Sequence, residues 1–341
     1  MHRPGAMVRG DGRGGGRYDV AIVGAGPAGL SAALVLARCC REVFVCDAGT
    51  PRSAATEVMH GFLTRDGIEP AEFRRLAREE LGRYENVALR DARAVDARRA
   101  GEAGFAVDLA DGERVRARKL LVATGLVDEL PPLEGFGEFY GTSVFHCPYC
   151  DGYELRGAPL AVYGRGRRAF EMARALTGWS RDLTLVSDGP AGLAPEARRH
   201  LERNRIRVVE TRVARLAGRD GRLEAVVLAD GRALQVRGLF FDTPTRPQSL
   251  LAQRVGCRLT KKGGVRCGQY EATDVPGVFV AGNLTKDVQL SIVAAAEGAR
   301  AAFGIQRSLL REDFERRATG RRRVEHPPVE HAETQARRPR A

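Results

Sequence analysis

From Tyr18 onward the apolar positions fall into short runs broken by glycines or charges, the rhythm of strands alternating with helices. Tyr18-Asp19-Val20-Ala21-Ile22-Val23 reads as a buried strand, Leu30 to Arg41 carries helical spacing, and Glu42-Val43-Phe44-Val45-Cys46 is a second strand ending on Asp47. Between the first strand and the helix lies Gly24-Ala25-Gly26-Pro27-Ala28-Gly29. Glycines there permit a tight turn and let the backbone approach a pyrophosphate, which would rest on the free N–H groups of the helix N-terminus. Asp47 stands where a carboxylate can accept hydrogen bonds from ribose hydroxyls. Strand, loop, helix, strand and acid in that order predict a nucleotide site, which the loop alone would not.

The pattern continues along the chain. Met59-His60-Gly61-Phe62 opens a loop, Pro70 to Tyr84 is an amphipathic helix, and strands at Phe105–Leu109 and around Val115 flank an Asp111-Gly112 turn. Lys119 to Val122 is a buried strand running into Ala123-Thr124-Gly125. A second nucleotide-like unit follows: strand Leu160 to Tyr163, loop Gly164-Arg165-Gly166-Arg167-Arg168-Ala169, helix Phe170 to Thr177, and strand Leu183 to Val186 ending on Ser187-Asp188. An acid at that point disfavours the extra phosphate of NADP. Residues 199–242 read as helix, strand, hairpin and strand, and Asp242-Thr243-Pro244-Thr245-Arg246-Pro247 as a hinge that breaks both periodicities. Val278-Phe279-Val280-Ala281-Gly282-Asn283 ends a last strand before an Ala-rich helix, Ile292 to Arg311. The fold class is α/β.

Composition sharpens this picture only at the edges. With 341 residues and 43% hydrophobic content the chain can bury the cores of two domains. It has no run of 18 apolar residues, so no membrane association is expected, and its first residues lack the apolar segment of a secretory signal. A cytoplasmic location is therefore expected. The net charge of +12 raises the question of nucleic acid, but residues 1–17 and 318–341 each contribute +3 (four Arg against one Asp, six Arg against three Glu). Only four of the 55 basic residues are lysines, and no basic patch interleaved with aromatics is visible, so no nucleic-acid partner is expected. Both ends, taken as residues 1–17 and 316–341, read as disordered tails.

The chemistry concentrates at His146-Cys147-Pro148-Tyr149-Cys150-Asp151-Gly152-Tyr153-Glu154. A single C-x-x-C can be half of a zinc site, a buried structural pair or a redox pair. Here no second C-x-x-C and no paired histidines complete a zinc tetrahedron, so no metal is expected. A redox pair would gain from the adjacent Asp151 as proton donor and acceptor while the ring opens and closes. His146 is a candidate helper. A lone loop histidine such as His60 is more often structural than catalytic.

With these motifs the chain resembles the low-molecular-weight thioredoxin reductases over about residues 18–315. The resemblance rests on Gly24, Gly26 and Gly29, Ala123-Thr124-Gly125, Cys147-Pro148-Tyr149-Cys150-Asp151-Gly152, the second glycine loop and Val278-Phe279-Val280-Ala281-Gly282. It implies two Rossmann-like nucleotide-binding domains, the second inserted into the first: an FAD domain over 18–126 and 244–315, and an NAD(P)-binding-like domain over 127–243 carrying the cysteines. It implies FAD contacts at Gly24, Gly26, Pro27, Ala28, Gly29, Asp47, His60, Thr124, Gly125, Gly282, Asn283 and Gln289, and a homodimer. Gly164, Gly166, Ala169 and Asp188 form the possible second nucleotide site. By the same resemblance Cys150 is the thiol beside the flavin, Cys147 the one that exchanges with substrate, and Asp151 the acid–base group.

Three departures stand out. The reductases follow the second Rossmann strand with a basic H-R-R cluster that grips the 2'-phosphate of NADPH, where this chain has Val186-Ser187-Asp188-Gly189. Its second loop carries Arg165, Arg167 and Arg168, and the family's Gly-Asp near the C-terminus reads Gly282-Asn283. Met59-His60-Gly61-Phe62-Leu63 and Cys147 to Glu154 are similar to the thioredoxin-reductase-like dithiol oxidases of the gliotoxin and holomycin type. In those enzymes electrons run from a substrate dithiol through the cysteines to FAD and oxygen. The expected function is an FAD-dependent dithiol oxidase acting on a small-molecule dithiol. The alternatives are an NAD(P)H-dependent reductase of a thioredoxin-like protein and a non-enzymatic flavin redox sensor.

Overall fold

The computed structural model describes residues 17–101, 104–242 and 244–318. The disorder expected for residues 1–17 and 316–341 falls on residues outside that range, except at its inner edges, where Arg17 begins a strand and residues 316–318 are helical. Among the described residues no helix is long and apolar enough to cross a membrane.

The first sheet is built on Arg17–Val23, which pairs in parallel with Val43–Asp47 on one side and Arg114–Val122 on the other. Val87–Asp91 extends it beyond Val43–Asp47. Arg114–Val122 is long enough to serve two partners. Its first half runs antiparallel to Phe105–Leu109, while its second half pairs in parallel with Val278–Val280, the strand that returns from the far end of the chain. Strands covered on both faces read as unbroken apolar runs, and Val20, Ala21, Ile22, Leu120, Leu121 and Val122 have no exposed surface.

Between those halves the chain builds a second, all-parallel sheet in the order Arg207–Val209, Leu183–Val186, Leu160–Tyr163, Gly238–Phe241, Val144–Phe145, with an antiparallel three-stranded sheet, Val213–Arg219, Arg222–Leu228 and Ala233–Gln235, packed beside it. The fold is thus two Rossmann-like α/β units, the second threaded into the first.

The segment expected as an irregular hinge, Asp242 to Pro247, is more ordered than its prolines suggest. Thr245–Pro247 forms an antiparallel pair with Leu126–Asp128, so the two crossings between the units are hydrogen-bonded to each other. A two-stranded edge tolerates Pro247 because its missing N–H faces no further strand.

The first helix spans Pro27–Arg38 rather than Leu30 to Arg41, with Pro27 in its first turn, where a missing N–H costs nothing. It packs against the C-terminal helix, Ser291–Ala318, through small buried residues: Ala28, Ala32 and Ala33 face Ala294, Ala301 and Ala302. A Cβ on Gly298 would stand 2.0 Å from the carbonyl oxygen of Ala28, so only glycine lets these helices touch. The C-terminal helix runs on past the expected Arg311. Its next turn carries Glu312 and Asp313, which are held by Arg41, Arg118 and Lys119 on the first unit.

Candidate active site

The glycine loop closes the end of the first strand as tightly as backbone allows. Gly24 has φ +107°, and a Cβ there would lie 2.4 Å from the Ala123 carbonyl oxygen; a Cβ on Gly29 would lie 1.8 Å from the Gly24 oxygen. Gly26 is different: nothing stands within 4 Å of a Cβ built on it, so this glycine faces open space. That space is a cleft of about 490 Å³. Its walls bring together residues scattered over the sequence: Gly24, Gly26, Pro27 and Ala28; Asp47; His60; Thr124 and Gly125; His146, Cys147, Cys150 and Asp151; Gly282, Asn283 and Gln289. Gly29 lies behind the loop as a packing residue.

Asp47 caps the loop by accepting the Ala25 N–H at 3.3 Å, and its other oxygen is held by Arg74 from the helix Pro70–Leu81. Thr124 Oγ1 is buried and has no hydrogen-bond partner among the described residues. An unpartnered buried hydroxyl beside the N-terminus of the helix Pro27–Arg38 and a carboxylate offers a nucleotide cofactor both donors and an acceptor. On that ground the cleft fits a dinucleotide.

Cys147 and Cys150 form a closed disulfide, with Pro148–Asp151 as a single helical turn. Gly152 is needed to end that turn: a Cβ would meet the Pro148 carbonyl oxygen at 2.5 Å and the Trp179 ring at 2.9 Å. Trp179 also takes the edge of Tyr149, at 5.6 Å between ring centroids, so the pair is braced from outside.

Three titratable groups surround it. Burial pushes the Asp151 carboxyl up to about 7, with Glu154 adding to the rise and His60 opposing it. His60 itself bridges the carboxylates of Glu154, at 3.6 Å, and Asp66, at 3.5 Å. Its predicted place beside the cofactor site therefore comes with a second contact, to the residues that follow the disulfide. His146 is pushed down to about 4 by burial and by the Arg52 guanidinium, so it is neutral at physiological pH.

The sequence reading missed a polar chain behind His146. Tyr140 Oη lies 3.5 Å from His146 Nδ1 and donates to Asp128 at 2.8 Å; Asp128 accepts two hydrogen bonds from Arg52, at 2.5 and 2.8 Å, and Arg52 reaches on to Gln289. Burial would raise the Asp128 carboxyl, but the Arg52 pairing outweighs it and holds the group below its ordinary range. Burial and Asp128 raise the Tyr140 phenol. Arg52 opens a single 3-10 turn, Arg52–Ala55, too short to show a periodicity, and Tyr140 stands next to a short apolar strand, so no pattern marks either.

The second glycine loop is placed as expected but is already engaged. Gly166 begins the helix Gly166–Leu176, with Ala169 buried on it. Arg165 bends back over the end of the neighbouring strand, donating to the carbonyl oxygens of Ser187, at 2.7 Å, and of Asp188. The Asp188 carboxylate accepts the Val213 N–H at 2.9 Å and lies within 3.7 Å of Arg165 and 3.6 Å of Arg212. Asp188 is thus paired within the protein as Asp47 is, and what sets the second loop apart is the Arg165 side chain lying over the end of the strand.

A family model described as pyridine nucleotide-disulphide oxidoreductase matches residues 18–298. The chain belongs to that family. Within this pyridine nucleotide-disulphide oxidoreductase family its relatives are thioredoxin reductase-like. The thioredoxin reductase tcpT of Claviceps purpurea is 34% identical over 275 residues, covering 78% of this chain and 86% of its own. The thioredoxin reductase aclD of Aspergillus oryzae is 31% identical over 299 residues, covering 84% and 95%. Among solved structures, HlmI superposes with a TM-score of 0.86 at 36% identity over 90% of this chain and 96% of its own. The TrxB protein of Bacillus anthracis gives 0.83 at 31%, covering 87% and 100%. The chain is a thioredoxin reductase-like oxidoreductase.

Proposed function

We propose that this oxidoreductase is an FAD-dependent dithiol oxidase that closes a disulfide in a small molecule. The observation that carries the reading is Arg165 lying across the end of the strand Leu183–Val186, with Asp188 paired internally, beside an intact cysteine pair that opens on the first nucleotide cleft. An enzyme fed by NADPH needs that second loop free, and one fed by its dithiol substrate does not.

The chemistry balances without a nicotinamide. A substrate thiolate attacks Cys147, breaking the Cys147–Cys150 bond and leaving Cys150 as a thiolate. The second substrate thiol displaces Cys147 from the mixed disulfide, releasing the oxidised substrate and leaving both cysteines reduced. FAD held in the first cleft would supply the two-electron oxidant that returns the reduced pair to the disulfide, with oxygen as the final acceptor and hydrogen peroxide as the product. Asp151, poised near neutrality, takes up and returns the proton that the Cys150 sulfur gains and loses. His146 and its chain to Arg52 orient the loop that carries Cys147. Gly24 to Ala28, Asp47, Thr124 and Gly282 hold the cofactor, with His60, Gly125, Asn283 and Gln289 around it.

The test is anaerobic mixing of the flavin-loaded protein with dihydrolipoamide, NADPH or NADH in separate runs, followed by admission of air. Bleaching of the flavin by the dithiol and its recovery in air are expected. Fast bleaching by NADPH alone would overturn the reading in favour of a reductase acting on a thioredoxin-like protein, the second function consistent with the names of the relatives. We further propose cytoplasmic residence, checked by cell fractionation, and a homodimer, checked by size-exclusion chromatography with light scattering.

A further inference from the structure

Against the main cleft lies a second cavity of about 370 Å³, at the place where the two crossings between the units pair. Its floor is apolar, formed by Leu126, Val127 and Leu130 from one crossing and its continuation, and Pro51. Three guanidinium groups line it: Arg52, Arg93 and Arg246. A single carboxylate, Asp128, stands among them, and both its oxygens are taken by Arg52. No carboxylate of the lining is left for Arg93 or Arg246, and with Glu129 beside Arg246 from outside the lining the cavity keeps one surplus positive charge. Arg93, which also borders the main cleft, has no side-chain hydrogen bond or ion pair among the described residues, and Arg246 has Glu129 at 4.0 Å, a long, exposed pairing that a closer anion can replace. Opposite them stands Tyr140, whose hydroxyl is the contact to His146, the residue before Cys147.

We propose that this cavity binds the carboxylate of the substrate, so that the dithiol oxidised here is an anionic small molecule with a short apolar body. The proposal rests on the dithiol-oxidase reading and deepens it by naming the substrate's charge. Arginine suits the role because its planar fork meets a carboxylate with two parallel hydrogen bonds, and the apolar floor accommodates an alkyl chain. The surplus charge lies at the hinge rather than on an open face. The site thus meets a ligand that has entered between the units, next to the cysteine loop.

Lipoate and lipoamide differ only in whether the end of the same chain is a carboxylate or a neutral amide. Calorimetric titration of the flavin-loaded protein with each is expected to show lipoate binding about tenfold more tightly, equivalent to about 1.4 kcal/mol. In Arg246→Gln that preference is expected to vanish while lipoamide binding stays as it was. Arg219→Gln, which removes the same charge from the three-stranded sheet outside the cavity lining, is expected to keep it. Equal affinities in the wild type, or a preference that survives Arg246→Gln, overturns the carboxylate site. A parallel measurement of flavin bleaching by dihydrolipoamide tests the oxidase reading by itself, since the neutral dithiol does not depend on Arg246. Failure to bleach together with a lipoate preference would sink the oxidase and leave the anion site standing.

Discussion

At the scale of single residues, Asp151 is the group on which the chemistry turns. Burial beside a disulfide raises its carboxyl to about 7, so in the folded protein it holds a proton over the interval from its ordinary value of 3.8 up to neutrality. A group that keeps its proton longer when folded makes stability fall as pH rises through that interval. Asp151→Asn is expected to flatten that decline in urea-unfolding curves taken at pH 5 and pH 8. It is also expected to slow flavin reduction by a dithiol about 100-fold and to remove an inflection near pH 7 from the pH–rate profile. His146, held near 4, cannot supply that inflection, so His146→Asn should leave it in place. If the inflection survives in Asp151→Asn, the acid–base role belongs elsewhere. The acid was legible in the sequence because it follows a C-x-x-C. Its raised pKa was not, since burial arises only when the His60 loop, distant in sequence, is brought to the same cleft.

Elements were legible where periodicity was long and illegible where order came from a partner distant in sequence. The two strand–loop–helix–strand units could be read directly, because a buried parallel strand must be apolar throughout and a nucleotide turn must be glycine-rich. The pairing of Thr245–Pro247 with Leu126–Asp128 could not be read, because its two strands are short and more than 100 residues apart, and neither alternates. The chain from Arg52 through Asp128 and Tyr140 to His146 was hidden for the same reason. The packing of Pro27–Arg38 on Ser291–Ala318 gives this scale its prediction. Gly298 touches the backbone of Ala28, a residue of the glycine loop itself, so Gly298→Ala forces the C-terminal helix away from the loop. The expected cost is about 1–3 kcal/mol of stability, read by urea unfolding, with weaker FAD retention on gel filtration. Wild-type stability in this variant would mean that the helices can part without strain.

For the whole molecule the question is what keeps the first unit together when its sequence is interrupted by another. Val278–Val280 returns to the sheet, and the C-terminal helix then crosses the unit and ends over a cluster of charges at the start of the sheet. There Arg41, only 2% exposed, donates to Asp313 at 2.6 Å and to Gln306 at 2.6 Å, while Arg118 reaches Asp19, Glu312 and Asp313 and Lys119 reaches Glu312. This cluster is why the helix continues to Ala318 where its apolar pattern had stopped near Arg311. Burial would raise the Glu312 and Asp313 carboxyls, but the surrounding cations outweigh it and lower both. A lowered carboxyl contributes stability above its unfolded value near 4 and loses it as pH falls through the folded one. The clamp should therefore hold at neutral pH and release in acid. Removing one partner strands a buried charge, so Asp313→Ala is expected to cost about 2–4 kcal/mol at pH 7, with faster amide exchange over residues 306–318. As pH falls through the lowered Asp313 value, the variant and the wild type should converge. The double variant Arg41→Met, Asp313→Leu, which removes both charges and fills their space, should recover most of the loss. An Asp313→Ala protein as stable as the wild type at neutral pH, with unchanged exchange in that helix, would show that the apolar seam alone holds the two ends of the unit together.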